Sequence, residues 1–242
     1  MTQPKITPAY KRIVLKLSGE ALAGTAGHPI DPDRATFIAE KITQIHRLGV
    51  QIGVVIGAGN LWRGEQGVGR GMDQSTADYM GMLGTVMNAL ALRDALERVG
   101  VSTRVQTAIP MNTVAEPYIR LRAIRHMEKS RVVIFAGGTG SPFFTTDTAA
   151  ALRAADIAAE IVIKATKVNG VYTADPRKYA DAVRYSELTY AKVIQDRLEV
   201  MDMTAFTMCE ENKIPIMVLN FWNDDDLYHA VLGQENVGTI IR

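Results

Sequence analysis

The sequence has a single cysteine, Cys209, among its 242 residues. An intrachain disulfide is therefore excluded, and nothing supports the disulfide framework of a secreted domain. No histidine lies near Cys209 in the sequence, so it reads as a quiet buried side chain rather than a nucleophile. Long apolar runs are missing too: the longest, such as 52–58 and 132–136, fall far short of the ~20 residues of a membrane span. Residues 1–8 are polar and lack the apolar stretch of a signal peptide. Neither sign of charge dominates, with 27 Lys and Arg against 26 Asp and Glu. A protein that grips nucleic acid by its phosphates normally carries a basic excess. The expectation is a cytoplasmic protein with neither a nucleic-acid nor a membrane partner, in which any bound anion is held locally. The basic stretch Arg120, Arg122, Arg125, His126, Lys129 and Arg131 reads as a solvated helix face or subunit contact.

Several catalytic signatures are absent as well. The P-loop pattern G-x-x-x-x-G-K-[ST] does not occur. Gly57-Ala58-Gly59 opens like a dinucleotide fingerprint, but Trp62 stands where the third small residue belongs. No H-E-x-x-H, Cys/His cluster or G-x-S-x-G elbow is present, which leaves zinc hydrolase and serine esterase chemistry without support.

What the chain does contain is an alternation of short apolar runs and longer amphipathic ones. Strands are expected at 13–17, 51–56, 101–107, 132–136, 161–163, 216–219 and 237–241. Helices are expected from Asp31-Pro32-Asp33 to Gly49, at 74–98, 118–129, 146–155, 190–195 and 204–212, and after Asn223. Strand and helix in turn argue an α/β fold, an αβα sandwich on a mostly parallel sheet covered on both faces. At ~150 residues per domain the length suits one large α/β domain. No Pro-, Gly- or Ser-rich linker divides it, so 1–242 reads as one domain with lobes 1–164 and 165–242. Asn169-Gly170 suits a tight hairpin turn.

Glycines crowd the ends of the strands. Ser18-Gly19 follows the first, Gly57, Gly59, Gly64, Gly67, Gly69 and Gly71 follow the second, and Gly137, Gly138 and Gly140 follow the fourth. Ligands of open parallel sheets bind at the carboxyl ends of strands. Small loops there aim backbone N–H groups, and the next helix its positive end, at an anion. Three such loops point to phosphate. Lys16 lies inside the first strand run, where an unpaired ammonium is costly. Arg63 sits in the second glycine loop and suits bidentate phosphate binding. Asp147 opens the helix after Thr145-Thr146, either orienting Lys16 or serving only as a helix-start acid.

Five long motifs resemble one family. They are Lys16-Leu17-Ser18-Gly19-Glu20-Ala21-Leu22, Gly59-Asn60-Leu61-Trp62-Arg63-Gly64, Asp78-Tyr79-Met80-Gly81-Met82-Leu83, the run from Gly138 to Asp147, and the run from Lys164 to Pro176. Together they resemble the bacterial uridylate kinases of the amino acid kinase superfamily, over essentially the whole chain. The resemblance implies phosphoryl transfer from ATP, with Mg²⁺, to UMP in pyrimidine nucleotide biosynthesis. It implies Lys16, Arg63 and Asp147 as catalytic residues, with Asp147 holding Lys16. It places ATP at Lys16, Leu17, Ser18, Gly19, Gly59, Arg63, Thr166, Tyr172 and Asp175. It places UMP at Ala58, Asp78, Thr139, Gly140, Ser141, Pro142, Phe143, Phe144, Thr145 and Thr146. Mg²⁺ is expected on the nucleotide phosphates rather than on protein ligands.

The resemblance also implies a homohexamer, activation by GTP and feedback inhibition by UTP. The region 24–29 matches one linked to GTP activation, and Arg93, Arg104 and Arg131 lie near inter-subunit effector positions. Two departures stand out. Ala58 replaces a common glycine, so its methyl must point away from ligand, and Asn169 replaces a common aspartate. The competing readings are a carboxylate kinase of the same superfamily and a non-catalytic nucleotide-binding or storage protein.

Overall fold

In β1 (Arg12–Leu17) and β2 (Gln51–Ile56) every residue after the first is buried. Both sides of the pleat are hidden in this way only when helices cover both faces of a sheet. The structure, a computed structural model, describes residues 7–25, 27–196, 198 and 200–242. Residues 1–6, and most of the polar start read above, lie outside them.

The remaining strands are β3 (Thr103–Thr107), β4 (Glu116–Pro117), β5 (Val132–Ala136), β6 (Ile161–Thr166), β7 (Glu187–Leu188), β8 (Ile216–Asn220) and β9 (Thr239–Ile241). They form one nine-stranded sheet in the order β4-β3-β5-β2-β1-β6-β8-β9-β7. All neighbours are parallel except β8 and β9. Position 164, where the lobe boundary was expected, falls inside β6.

Helices α1 (Pro32–His46), α3 (Gln74–Arg98) and α8 (Asp226–Val231) pack on one face, against Ile13, Leu15 and Leu17 of β1. Helices α4 (Arg120–Glu128), α5 (Thr146–Asp156), α6 (Tyr190–Gln195) and α7 (Met203–Glu211) pack on the other, against Val14. The same alternation in β6 sends Ile161, Ile163 and Ala165 to the first core and Val162 to the second. Each fully buried Ile or Leu contributes about 1.5–3 kcal/mol, so this pattern fixes the register of both central strands. Two short helical turns were not foreseen: a 3-10 helix at Gly19–Leu22 and α2 (Gly64–Val68). Neither is long enough to carry an apolar period. The two-residue edge strands β4 and β7 were missed for the same reason.

Asn169-Gly170 does not form the tip of a hairpin. A ribbon does follow, with Tyr172 bridged antiparallel to Arg184, but it turns near Asp175, whose carbonyl accepts from the N–H groups of Lys178 and Tyr179. Asn169 is instead a polar node, its Oδ1 accepting from Asn220 and Asn223 at 2.9 and 3.2 Å. Among the described residues no helix is long and apolar enough to cross a membrane.

Candidate active site

Register builds the centre of the site. Parallel pairing sets Lys16 of β1 directly beside Lys164 of β6. Both lysines follow a residue of the α5-side core, Val14 and Val162, by one pleat. Helix α5 begins above them. Thr145 caps it, its Oγ1 accepting from the Asp147 N–H at 3.0 Å, and Asp147 then points down between the lysines. Lys16 Nζ lies 2.6 Å from Asp147 Oδ1, and Lys164 Nζ donates to Oδ2 at 2.6 Å. Lys164 also donates to the carbonyl of Val200. The Lys16 contact lacks hydrogen-bond alignment, since Oδ1 has no hydrogen-bond partner. The Lys16–Asp147 contact is a close, buried ion pair.

Electrostatics give this cluster its chemistry. Lys16 and Asp147 are both 9% exposed, and buried charges are tolerated only when paired. Burial alone would raise the Asp147 carboxyl, but the two ammonium groups outweigh it and hold it below the ordinary range. Burial pushes the Lys164 ammonium down, Asp147 opposes that and Lys16 adds to it. Two ammonium groups share the Asp147 carboxylate, with the Asp202 carboxylate also acting on Lys164, so cationic charge is concentrated in a poorly hydrated place. Such a preorganised cation site stabilises an anion far better than the same charges in water.

The first two glycine loops meet here. A Cβ on Gly19 would lie 2.4 Å from Asn60 Oδ1 and 2.6 Å from the Gly57 carbonyl, so only glycine fits between the loops. Asn88, fully buried on α3, donates to the Gly57 carbonyl at 2.7 Å and to Asn60 at 2.8 Å. Leu17 is buried as the last residue of β1, and Ser18 caps the 3-10 helix. Glu20, in that helix, pairs with Arg63 and, at 3.4 Å, with Lys167. Arg63 also donates weakly to the Gly59 carbonyl at 3.4 Å.

On one side of this centre lies the third glycine loop. Gly137, Gly138 and Gly140 all have positive φ. Thr139 and Ser141 close a turn, with the Thr139 hydroxyl donating to the Ser141 carbonyl at 3.0 Å. Pro142 leads to Phe143, whose φ of +70° is unusual for a bulky residue, and both Phe143 and Phe144 are exposed. Asp78 of α3 secures the loop, one oxygen accepting from the Phe143 N–H at 2.8 Å and the other from Gln74 at 2.9 Å. Thr146 Oγ1 would lie 3.4 Å from a Cβ on Gly57, so this loop ends against the second one. The Ala58 methyl faces α3, within 2.9 Å of where Gly84 would carry a Cβ.

On the other side, Tyr172 and Asp175 line a cavity of about 510 Å³ together with Lys164, Thr166 and Val168. A second cavity of about 320 Å³ shares Lys164 and Thr166 and adds Lys16, Ser18, Glu20 and Trp222. Thr166 is occupied locally, its one hydroxyl proton lying within reach of the Val168 carbonyl at 2.7 Å and the Leu219 carbonyl at 2.9 Å. Of the residues expected to hold ATP, Lys16, Leu17, Ser18, Thr166, Tyr172 and Asp175 line these two cavities, whereas Gly59 and Arg63 lie in the second glycine loop beside Ala58.

Residues 11–220 match the sequence profile of the amino acid kinase family. The chain belongs to that family. Solved kinases of this kind superpose over nearly the whole chain. A UMP kinase from Bacillus anthracis is 40% identical, with a TM-score of 0.93 and 96% of each chain covered. A UMP kinase from Ureaplasma parvum is 35% identical, with a TM-score of 0.90 over 96% of this chain and 98% of that one. A uridylate kinase from Archaeoglobus fulgidus is 29% identical, with a TM-score of 0.75 over 95% and 99%.

Three residues of this amino acid kinase site were not singled out from sequence. Lys164 carried the same signal as Lys16, a lysine ending an apolar strand run. Glu20 lay within a quoted motif but had no visible partner. Asp202 showed only a helix-cap pattern. It caps α7 through the Ala205 N–H at 2.8 Å and also accepts from the hydroxyls of Thr145 and Thr148, tying α7 to the start of α5.

Proposed function

We propose that the protein is a UMP kinase, a nucleoside monophosphate kinase that transfers the γ-phosphoryl group of ATP directly to UMP. The observation that carries this reading is the Lys16–Asp147–Lys164 cluster, with its concentrated cationic charge between two flanks of nucleotide-sized loops. The three solved relatives, two UMP kinases and a uridylate kinase, agree with it. Phosphoryl transfer asks the protein for position and charge neutralisation rather than covalent chemistry. Lys16 and Lys164 supply that charge, Asp147 holds both ammonium groups in place, and Arg63 adds a planar donor once phosphate displaces Glu20. The phosphate of UMP is itself a nucleophile at neutral pH, so no general base is needed.

ATP is assigned to Lys16, Leu17, Ser18, Gly19, Gly59, Arg63, Thr166, Tyr172 and Asp175. UMP is assigned to Ala58, Asp78 and residues 139–146. The carboxylates nearest the centre, Glu20 and Asp147, are already paired with cations. That donor set suits Mg²⁺ carried on the nucleotide phosphates, where it neutralises phosphate charge. Lobe 1–164 then serves the acceptor and supplies the loops at the ATP phosphates, and lobe 165–242 serves the rest of the donor, with the boundary inside β6.

The same reading extends to pyrimidine biosynthesis in the cytoplasm, a homohexamer, activation by GTP and inhibition by UTP. Tyr79, Met80, Leu83 and Met87 expose apolar surface along α3, which supports self-association. Arg93 and Arg104 line a cavity of about 500 Å³ together with Glu97 and Glu116, both paired with Arg104, so an anionic effector there would displace these carboxylates. Arg131 is held by His126 at 3.1 Å instead. The Pro29 carbonyl accepts from Asn60 at 2.6 Å, which links the 24–29 region to the second glycine loop. Lys16→Ala tests catalysis against mere binding: turnover is expected to fall by ~100-fold or more while UMP still binds. A wild-type rate in that variant overturns the assignment.

A further inference from the structure

Arg184 has no place in the site just described, yet it anchors one wall of the larger cavity. It stands across the antiparallel bridge from Tyr172, on the ribbon spanning 171–185. Its guanidinium donates to three backbone carbonyls: Nη1 reaches Asn169 at 3.2 Å and Gly238 at 2.8 Å, and Nη2 reaches Asn236 at 3.1 Å. The turns it joins have unusual backbone, with φ of +146° at Gly170, +65° at Asn236 and +69° at Gly238. A Cβ on Gly170 would lie 3.1 Å from Arg184 Cδ, so the stem of the side chain packs on that turn. Thr239 completes the knot. Its buried hydroxyl accepts from the Val171 N–H at 2.9 Å and donates to the Tyr185 carbonyl.

Beyond this knot the chain runs out through Tyr172, Thr173, Ala174 and Asp175, which form one wall of the 510 Å³ cavity beside Lys164. Thr173, Ala174 and Asp175 are exposed, so the wall is fixed at its root and open to solvent further out. A planar, multi-donor fork spans carbonyls on two separate segments in a fixed geometry, whereas an ammonium is a compact point charge that fixes their spacing less tightly.

We propose that Arg184 is a positioning residue for the nucleotide donor: by clamping Asn169, Asn236 and Gly238 it holds Tyr172 and Asp175 at the spacing that ATP requires. This rests on the proposed placement of the ATP nucleoside beside Tyr172. The experiment compares wild type, Arg184→Ala, Arg184→Lys and Tyr172→Ala. It reads KM for ATP, KM for UMP, kcat and Tm, together with calorimetric titration of the magnesium complex of a non-hydrolysable ATP analogue.

Arg184→Ala is expected to raise the ATP KM and weaken analogue binding by about tenfold, leaving kcat and the UMP KM within twofold. Arg184→Lys is expected to lose about threefold, because it recovers part of the clamp. ATP KM and analogue affinity that stay at wild-type values in both Arg184 variants, with only Tm lowered, overturn the proposal. If Arg184→Ala does not fold, the Arg184→Lys shift decides alone. Weakened binding in Tyr172→Ala with none in the Arg184 variants removes the clamp but keeps the nucleoside placement. Unchanged binding in Tyr172→Ala removes the placement itself. Should UMP fail as acceptor, analogue titration still decides the role of Arg184.

Discussion

Lys164 donates to Asp147 Oδ2 at 2.6 Å from a strand that pairs directly with the one carrying Lys16. That contact turns a simple lysine–aspartate pair into a three-membered cluster in which two ammonium groups share one carboxylate. A single ion pair would be neutral and self-satisfied. This cluster sets two cations around one shared carboxylate, which is why it reads as the place where phosphate charge is stabilised.

Asp147→Asn removes the charge that both ammonium groups share. We expect kcat to fall by ~100-fold or more and stability to drop by about 3 kcal/mol, the usual cost of orphaning buried charge. ADP release and urea unfolding measure the two effects. The pH dependence follows from the sign of the shift. The folded carboxyl titrates below the ordinary aspartate value of 3.8, held down by the two ammonium groups. Its contribution to stability is complete above that value and is lost as pH falls through the lower folded value. The Asn variant should lack this acid-side loss.

Lys164 gives the opposite limb. Its ammonium releases its proton below the ordinary 10.5. Between the folded value and 10.5 the unfolded chain binds more protons, so this group makes stability rise with pH there. Activity should fall across that window as the centre loses its positive charge. Lys164→Arg keeps the charge at all accessible pH and should move the alkaline limb of kcat upward. An alkaline limb in Lys164→Arg identical to wild type would remove Lys164 from the centre.

Asp78 holds the N–H of Phe143 and the amide of Gln74. Asp78→Asn keeps the shape and drops the charge, and it should raise the UMP KM by about tenfold, the loss of one charge-assisted hydrogen bond. The ATP KM and kcat should change little. An unchanged UMP KM with a collapsed kcat would contradict the acceptor assignment.

Asp202 tests the scaffold rather than the chemistry. Asp202→Ala leaves the α7 terminus uncapped and the hydroxyls of Thr145 and Thr148 without their acceptor, and should cost about 2–3 kcal/mol. Asp202→Asn should recover part of this. Thermal unfolding separates the variants, and a Tm unchanged in Asp202→Ala contradicts the link between α7 and α5.

The long elements were legible because their periods are long. Helix α1 spans Pro32–His46, as expected from the helical spacing of Phe37, Ile38, Ile42, Ile45 and Leu48 and from Gly49 after it. The lysine in β1 was legible as a charge out of place in an apolar run. Its neighbour in β6 carried the same signal, but pairing of β1 with β6 is a tertiary fact that no local pattern contains. The same holds for Arg184 and Glu20, ordinary surface charges until the partners folded against them are known. Asn169-Gly170 misled because positive φ at the glycine serves packing against Thr239 rather than the tip of a hairpin.

The most direct test of the account is ADP release at saturating MgATP with UMP, CMP, dTMP and a small carboxylate as acceptors. The account predicts rapid release with UMP, identification of UDP as product, and little turnover with the carboxylate. Turnover with the carboxylate and none with UMP would contradict it.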